Sequence, residues 1–140
     1  MLYFDHSSGP GDIAVLDARS GVLFAGGLID QGRIPDVADG DLLGWRRALQ
    51  ALRKLAPKTV VPGHGRAGTE RSIDDEERYL AQLEARVRAL MKADTPLSQI
   101  ADAASLPDFK SWDQYETTHR RNASIVFLRI EREHLFNAGE

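Results

Sequence analysis

The sequence predicts an α/β layered fold, and three observations carry that expectation. Two short apolar runs, DIAVL (Asp12 to Leu16) and GVLFA (Gly21 to Ala25), flank a turn at Asp17-Ala18-Arg19-Ser20-Gly21. One amphipathic helix follows them. A β-branched run then ends in TVVPGHG, residues 59–65. A strand hairpin, a helix and a further strand pack most simply as a helix layered on a sheet. By length the 140 residues make one domain, with a sheet-and-helix part over 1–69 and a charged, helical part over 70–140.

Each element has its own signal. The hairpin runs are unbroken in apolar character, which predicts burial on both faces. In DGDLLGWRRALQALRKL, Asp39 or Asp41 can cap a helix whose Leu42, Trp45, Leu49, Leu52 and Leu55 recur at spacings of three and four. Trp45 therefore reads as core. Pro57 ends this helix and the strand Thr59 to Val61 follows. Ser72 with Asp75 resembles a capping box that opens a long helix, on which Ile73, Leu80, Leu83, Val87 and Leu90 keep a helical period. Asp74, Asp75, Glu76 and Glu77 then read as a negative first turn that favours the helix dipole. A shorter helix is predicted from Thr95, with Pro96 in its first turn, and a last one from about Thr117. Arg120 and Arg121 read as its solvated face.

The composition excludes several classes of function. The chain is 42% hydrophobic and 28% charged, in the range of ordinary globular proteins, with a net charge of −3 and an isoelectric point near 5.8. That balance provides no basic footprint for nucleic acid, and no basic amphipathic helix marks a membrane surface. There is no cysteine, which removes disulfides, thiolate nucleophiles and cysteine-ligated metal sites. No apolar run approaches the roughly 18 residues of a membrane span. Met1 to His6 lacks the charged start and apolar middle of a signal peptide. The expected location is cytoplasmic, or periplasmic if an export signal has been lost upstream.

The stretch TVVPGHG carries the clearest chemical signal. Val60 and Val61 end a strand, Pro62 and Gly63 stop it, and His64 is set on a tight turn at its C-terminal edge. Either Gly63 and Gly65 serve only the turn, with His64 a solvated side chain, or the turn aims an imidazole at a ligand. The order of motifs extends this signal: His6 before Gly11-Asp12, an apolar hairpin ending in Phe24-Ala25-Gly26, a Trp-containing helix, then Val60-Val61-Pro62-Gly63-His64-Gly65. This order resembles the C-terminal half of a metallo-β-lactamase-fold hydrolase. SGVLFAGGLIDQGRIPD (20–36), ADGDLLGWRRAL (38–49) and the Tyr115, His119, Asn122 tail are most similar to the zinc metallohydrolases of quinoprotein relay systems.

The resemblance implies half of a four-layer αββα sandwich with a helical C-terminal extension. It implies zinc as cofactor, a small-molecule substrate, and attack by metal-bound hydroxide on an ester, thioester or amide carbonyl. Carried over by position, His64 matches one metal ligand and His6 a second, although HSSGPGD is about two residues longer than the usual turn. The family's bridging acid falls on Gly27, which has no side chain to coordinate, and Asp30 is the candidate substitute. Asp12 is implied as a structural acceptor that holds the His6 loop, while Tyr115, His119 and Asn122 brace the site from the last helix.

The family's His-x-His-x-Asp-His cluster has no counterpart among His6, His64, His119 and His134. A catalytic zinc normally takes three protein ligands, so one copy of this chain is expected not to complete the site. Three readings follow. The chain is one part of a zinc hydrolase completed by an N-terminal half; or it is a noncatalytic remnant that self-associates through an open sheet edge and an uncovered face; or it is a module holding one metal ion through His6, His64 and Asp30.

Overall fold

The computed structural model describes residues 1–139, and Glu140, the last residue of the expected helical part, lies outside the described residues. The elements are β1 (Leu2–Tyr3), β2 (Ile13–Asp17), β3 (Val22–Asp30), α1 (Leu42–Lys54), β4 (Thr59–His64), α2 (Arg71–Lys92), α3 (Leu97–Ala103) and α4 (Arg120–Asn137). The strands form a four-stranded sheet in the order β1-β2-β3-β4. The β1/β2 and β2/β3 pairs are antiparallel, whereas β3 and β4 run parallel. Parallel strands need a crossover, and α1 provides it. The α/β layering expected from the sequence is present.

Both strands around the crossover are longer than expected. β3 continues past Ala25 to Asp30 and β4 continues past Val61 to His64, so these two residues face each other as the last parallel pair. The pairing register shifts around Gly26, whose φ is +55°. Burial changes phase at the same place, from Leu23 and Ala25 to Leu28 and Ile29. This irregularity carries the strand to the core on a new register.

Burial of the hairpin on both faces is not what the structure shows. Tyr3 pairs with Ile13 and Val15 pairs with Phe24, so these four side chains share one face of the sheet. They are 68%, 50%, 42% and 49% exposed respectively. Ala14, Leu23 and Ala25, on the opposite face, are buried under the helices. The runs are apolar on both sides because one side meets the helices, while the other forms an apolar surface that none of the described residues covers.

Asp41 caps α1, accepting the Gly44 N–H at 2.8 Å. Trp45, Ala48, Leu49 and Leu52 form the buried stripe, and the Trp45 indole N–H donates to the Leu28 carbonyl at 2.9 Å. α2 begins one residue before Ser72 and has no side-chain cap, so the expected capping box is not formed. Only Asp74 of the four acids stands in its first turn, and Glu76 is fully buried rather than solvated. α3 starts at Leu97 with Pro96 just before it. One wide π turn over Tyr115–His119 precedes α4, slightly ahead of the expected start. No helix among the described residues is long and apolar enough to cross a membrane.

A buried polar network ties α2 and α4 to the segment between β3 and α1. The Asn122 amide donates to the Pro35 carbonyl at 2.7 Å and to the Tyr79 hydroxyl at 3.0 Å, and its carbonyl oxygen accepts the Val37 N–H at 3.2 Å. His119 Nε2 lies 2.8 Å from the Ala104 carbonyl, which only accepts, so this nitrogen carries the proton. Nδ1 is then free to accept from the Tyr79 hydroxyl at 3.0 Å. Burial favours this neutral ring by lowering the His119 pKa, with Arg120 pushing the same way against the Ala104 hydrogen bond and Glu116. Tyr115 stacks on His119 with ring centroids 4.5 Å apart, and its hydroxyl accepts the Leu106 N–H at 2.8 Å.

Removing the Asn122 amide strands the buried Pro35 carbonyl and Val37 N–H and takes one of its two hydrogen bonds from the Tyr79 hydroxyl. Asn122→Ala is expected to lower unfolding free energy by about 3 kcal/mol, because each orphaned buried group costs about 1–3 kcal/mol. Urea denaturation checks this, with the exposed Asn137→Ala as a near-neutral comparison.

Candidate functional site

Three loops meet at the end of the sheet where β3 and β4 stop. The first, Asp5 to Asp12, closes on itself through hydrogen bonds from Phe4 N–H to Asp12 O and from Gly11 N–H to Asp5 O, both 2.7 Å. Asp12 sits at its centre and accepts from the Ser7 and Ser8 hydroxyls at 2.7 Å and from the Gly9 N–H at 2.9 Å. Burial raises the cost of charging this carboxylate. The hydrogen bonds from Ser7, Ser8 and Gly9 outweigh that cost and hold its pKa below 3.8.

The His6 loop is docked against the start of α1. Asp41 N–H donates to the Ser7 carbonyl at 2.8 Å, and His6 Nε2 lies 2.7 Å from the Asp39 carbonyl. A carbonyl only accepts, so this Nε2 carries the proton and leaves Nδ1 as the lone-pair nitrogen. A Cβ at Gly44 would stand 2.1 Å from the His6 carbonyl oxygen, so a glycine is needed there for the loop to lie on the helix. Beside His6 a groove of about 600 Å³ opens between α1, α2 and α4, with Leu42, Arg46, Arg129 and Ile130 among its walls.

The second loop is the β3 irregularity and the third is the turn after β4, and the irregularity lies against Pro62-Gly63, the last part of β4 before that turn. A Cβ on Gly63 would come within 2.7 Å of the Gly26 carbonyl oxygen, and one on Gly27 would stand 3.4 Å from the Ser8 hydroxyl. The His6 loop, Gly26-Gly27 and Pro62-Gly63 are therefore contiguous. Gly65, at φ +95°, turns the chain back so that Gly68 pairs with Val60 through two hydrogen bonds of 2.9 Å. Its own Cβ would fall 2.3 Å from the Gln31 carbonyl oxygen.

His64 is half-exposed and its Nδ1 lies 2.8 Å from the Asp30 carboxylate. That carboxylate fixes Nδ1 as the protonated nitrogen, and Nε2 has no hydrogen-bond partner among the described residues. Burial lifts the Asp30 pKa above 3.8, against the opposing pull of His64 and Arg33. Behind Asp30 stands Glu76, whose Oε2 accepts the Asp30 N–H at 3.2 Å. Burial, reinforced by the Asp30 charge, pushes the Glu76 pKa well above the usual carboxylate value, against the Asp30 N–H bond.

Of the residues singled out from the sequence, His64 and Asp30 are brought into direct contact, and Asp12 with its loop packs beside Gly27. Tyr115, His119 and Asn122 lie in the helical core, where Asn122 holds Pro35 and Val37 rather than His64. Arg120 and Arg121 pair with Asp102 and Asp36. Glu76 was hidden by its acidic neighbours, yet its position continues the Ile73, Leu80, Leu83, Val87 stripe at helical spacing. Among the described residues no group of three or more His, Asp or Glu side chains is placed to hold a metal ion. The described residues do not by themselves bring together the three protein ligands of a catalytic zinc.

Comparison with known proteins finds similarity over part of the chain. Residues 1–64 match the family described as Metallo-beta-lactamase superfamily. No curated protein matches the chain. Among solved structures, a metallo-beta-lactamase from Pontibacter korlensis aligns at 25% identity and TM-score 0.53, over 57% of this chain and 40% of that one. VMB-1 aligns at 21% identity and TM-score 0.52, and the DIM-1 metallo-beta-lactamase at 20% and 0.52, each over 57% of this chain and 39% of its own. The chain thus spans about two fifths of the length of these structures.

Two substitutions test the loops. Asp12→Ala is expected to cost about 1–3 kcal/mol at neutral pH, as hydrogen bonds to a charged acceptor do. Because the folded pKa is depressed, this contribution is fully present above 3.8 and is lost as pH falls through the folded value. The gap between variant and wild type in urea denaturation should therefore close in acid. Gly65→Ala combines a positive φ with a backbone clash, and thermal denaturation should show a loss of more than about 2 kcal/mol.

Proposed function

We propose that this chain, whose first 64 residues match the metallo-β-lactamase superfamily, is the C-terminal portion of a hydrolase module of that kind. In this reading the module cleaves an ester, thioester or amide bond in a small molecule. The observation that carries it is the meeting of the His6 loop, Gly26-Gly27 and Pro62-Gly63 at one end of the sheet, with His64 presenting an unpartnered Nε2. His64 and His6 are this chain's candidate zinc ligands, and the remaining ligands come from an N-terminal half supplied by further chain or by a partner. Within the superfamily we assign the chain to the quinoprotein relay subgroup, on residues 20–36 and 38–49 and the Tyr115, His119, Asn122 tail.

Asp30 then has a different part from the bridging acid it replaces in sequence. With its carboxylate on His64 Nδ1, it orients the imidazole and raises its basicity, as carboxylates behind ligating histidines do. The apolar sheet face of Tyr3, Ile13, Val15 and Phe24 supports the same reading, since a second sheet packs on such a face about 10 Å away. That face also favours a second reading in which a further copy of this chain covers it and no catalysis occurs.

Zinc analysis after dialysis without chelator separates these readings. The isolated chain is expected to retain well under one zinc per chain. Mixing it with a complementary half carrying the His-x-His-x-Asp-His cluster should restore stoichiometric zinc and hydrolysis, both lost with His64→Ala. A stable dimer in sedimentation, dissociated by Phe24→Lys, together with no zinc and no activity after complementation, would favour the noncatalytic reading.

A further inference from the structure

Glu76 is a fully buried acid with one oxygen on the Asp30 backbone and the other, Oε1, without a partner. Its place follows from the sheet. β2 pairs with β3 only as far as Phe24, so the later part of β3 has no strand on that side. Along a strand successive N–H groups alternate in direction, and Gln31 N–H already bonds the His64 carbonyl at 2.9 Å on the β4 side. The Asp30 N–H therefore points away from β4 into the core beneath α2. A buried donor without a partner is costly, and Glu76 is the acceptor α2 places there. Ile73, Tyr79, Leu80 and Leu83 occupy the rest of that helix face.

We propose that Glu76 is a positioning residue for His64, fixing the end of β3 through the Asp30 N–H and thereby the carboxylate that selects the imidazole tautomer. The chain of contacts is continuous: Glu76 Oε2 to Asp30 N–H at 3.2 Å, then Asp30 Oδ1 to His64 Nδ1 at 2.8 Å. What the site requires of position 76 is a buried acceptor. An amide oxygen at this position accepts the Asp30 N–H as a carboxylate oxygen does. The proposal rests on His64 being the functional residue, but its test reads the imidazole and needs no zinc.

The test is the His64 ring tautomer, measured by nitrogen and carbon NMR at alkaline pH in the full chain without metal. Glu76→Gln keeps an acceptor for the Asp30 N–H and should leave the ratio of Nδ1–H to Nε2–H forms unchanged. Glu76→Leu keeps the bulk without the acceptor and should lower that ratio about three- to ten-fold, the range worth of one net hydrogen bond. Val87→Ala, a cavity on the same buried stripe, should not move it.

A shift in both Glu76 variants, in neither, or equally in Val87→Ala overturns the proposal. If Glu76→Leu does not fold, hydrogen exchange of the Asp30 amide decides: protection in wild type and in Glu76→Gln supports the proposal, and exchange at the rate of an open loop overturns it. Failure of zinc binding after complementation, with tautomer coupling intact, would remove the hydrolase reading and leave this one standing.

Discussion

The parallel pairing of β3 with β4 is the constraint on which the rest of the molecule depends. It brings Asp30 opposite His64, residues 34 positions apart in sequence. It also obliges α1 to cross the sheet, which lays Trp45 and Leu49 on its buried face. The crossover leaves β3 through residues 31–41, and this segment with the start of α1 carries the docking points for the His6 loop. Gly40 and Gly44 leave room for that loop, and Asp41 both caps the helix and receives the loop through its N–H. Sheet topology, helix start and histidine loop are thus parts of one arrangement.

Two buried polar devices stiffen this arrangement from the helical side. Asn122 and Tyr79 hold Pro35 and Val37 in place, while Glu76 holds Asp30. Both act on backbone groups of the irregular region beside the site, where neither sheet nor helix can satisfy them. The helical C-terminal part therefore does more than cover one face of the sheet. It supplies hydrogen bonds that the strands, by ending, leave open.

Much of the fold was legible because hydrophobic period and turn chemistry agree along this chain. The α1 stripe is a local signal and the structure has it, whereas β4 runs through the expected Pro62-Gly63 stop as far as His64. The faces of the hairpin were not legible, since Ile13, Val15 and Phe24 look like core residues to any reading of periodicity. Only the tertiary arrangement reveals that no layer among the described residues reaches them. Glu76 was missed for a related reason: among Asp74, Asp75 and Glu77 an acid reads as solvated, and its place on the buried stripe is a geometric fact. The Asp30 to His64 contact likewise depends on a strand register that no short motif encodes.

The exposed face and the sheet edges have opposite properties. At one edge β1 is only two residues long, and at the other β4 carries Pro62, which has no N–H, while Gly68 occupies both backbone groups of Val60. Neither edge offers a row of free groups on which another strand could be templated. The exposed apolar side chains of the sheet lie instead on its face, at Tyr3, Ile13, Val15 and Phe24.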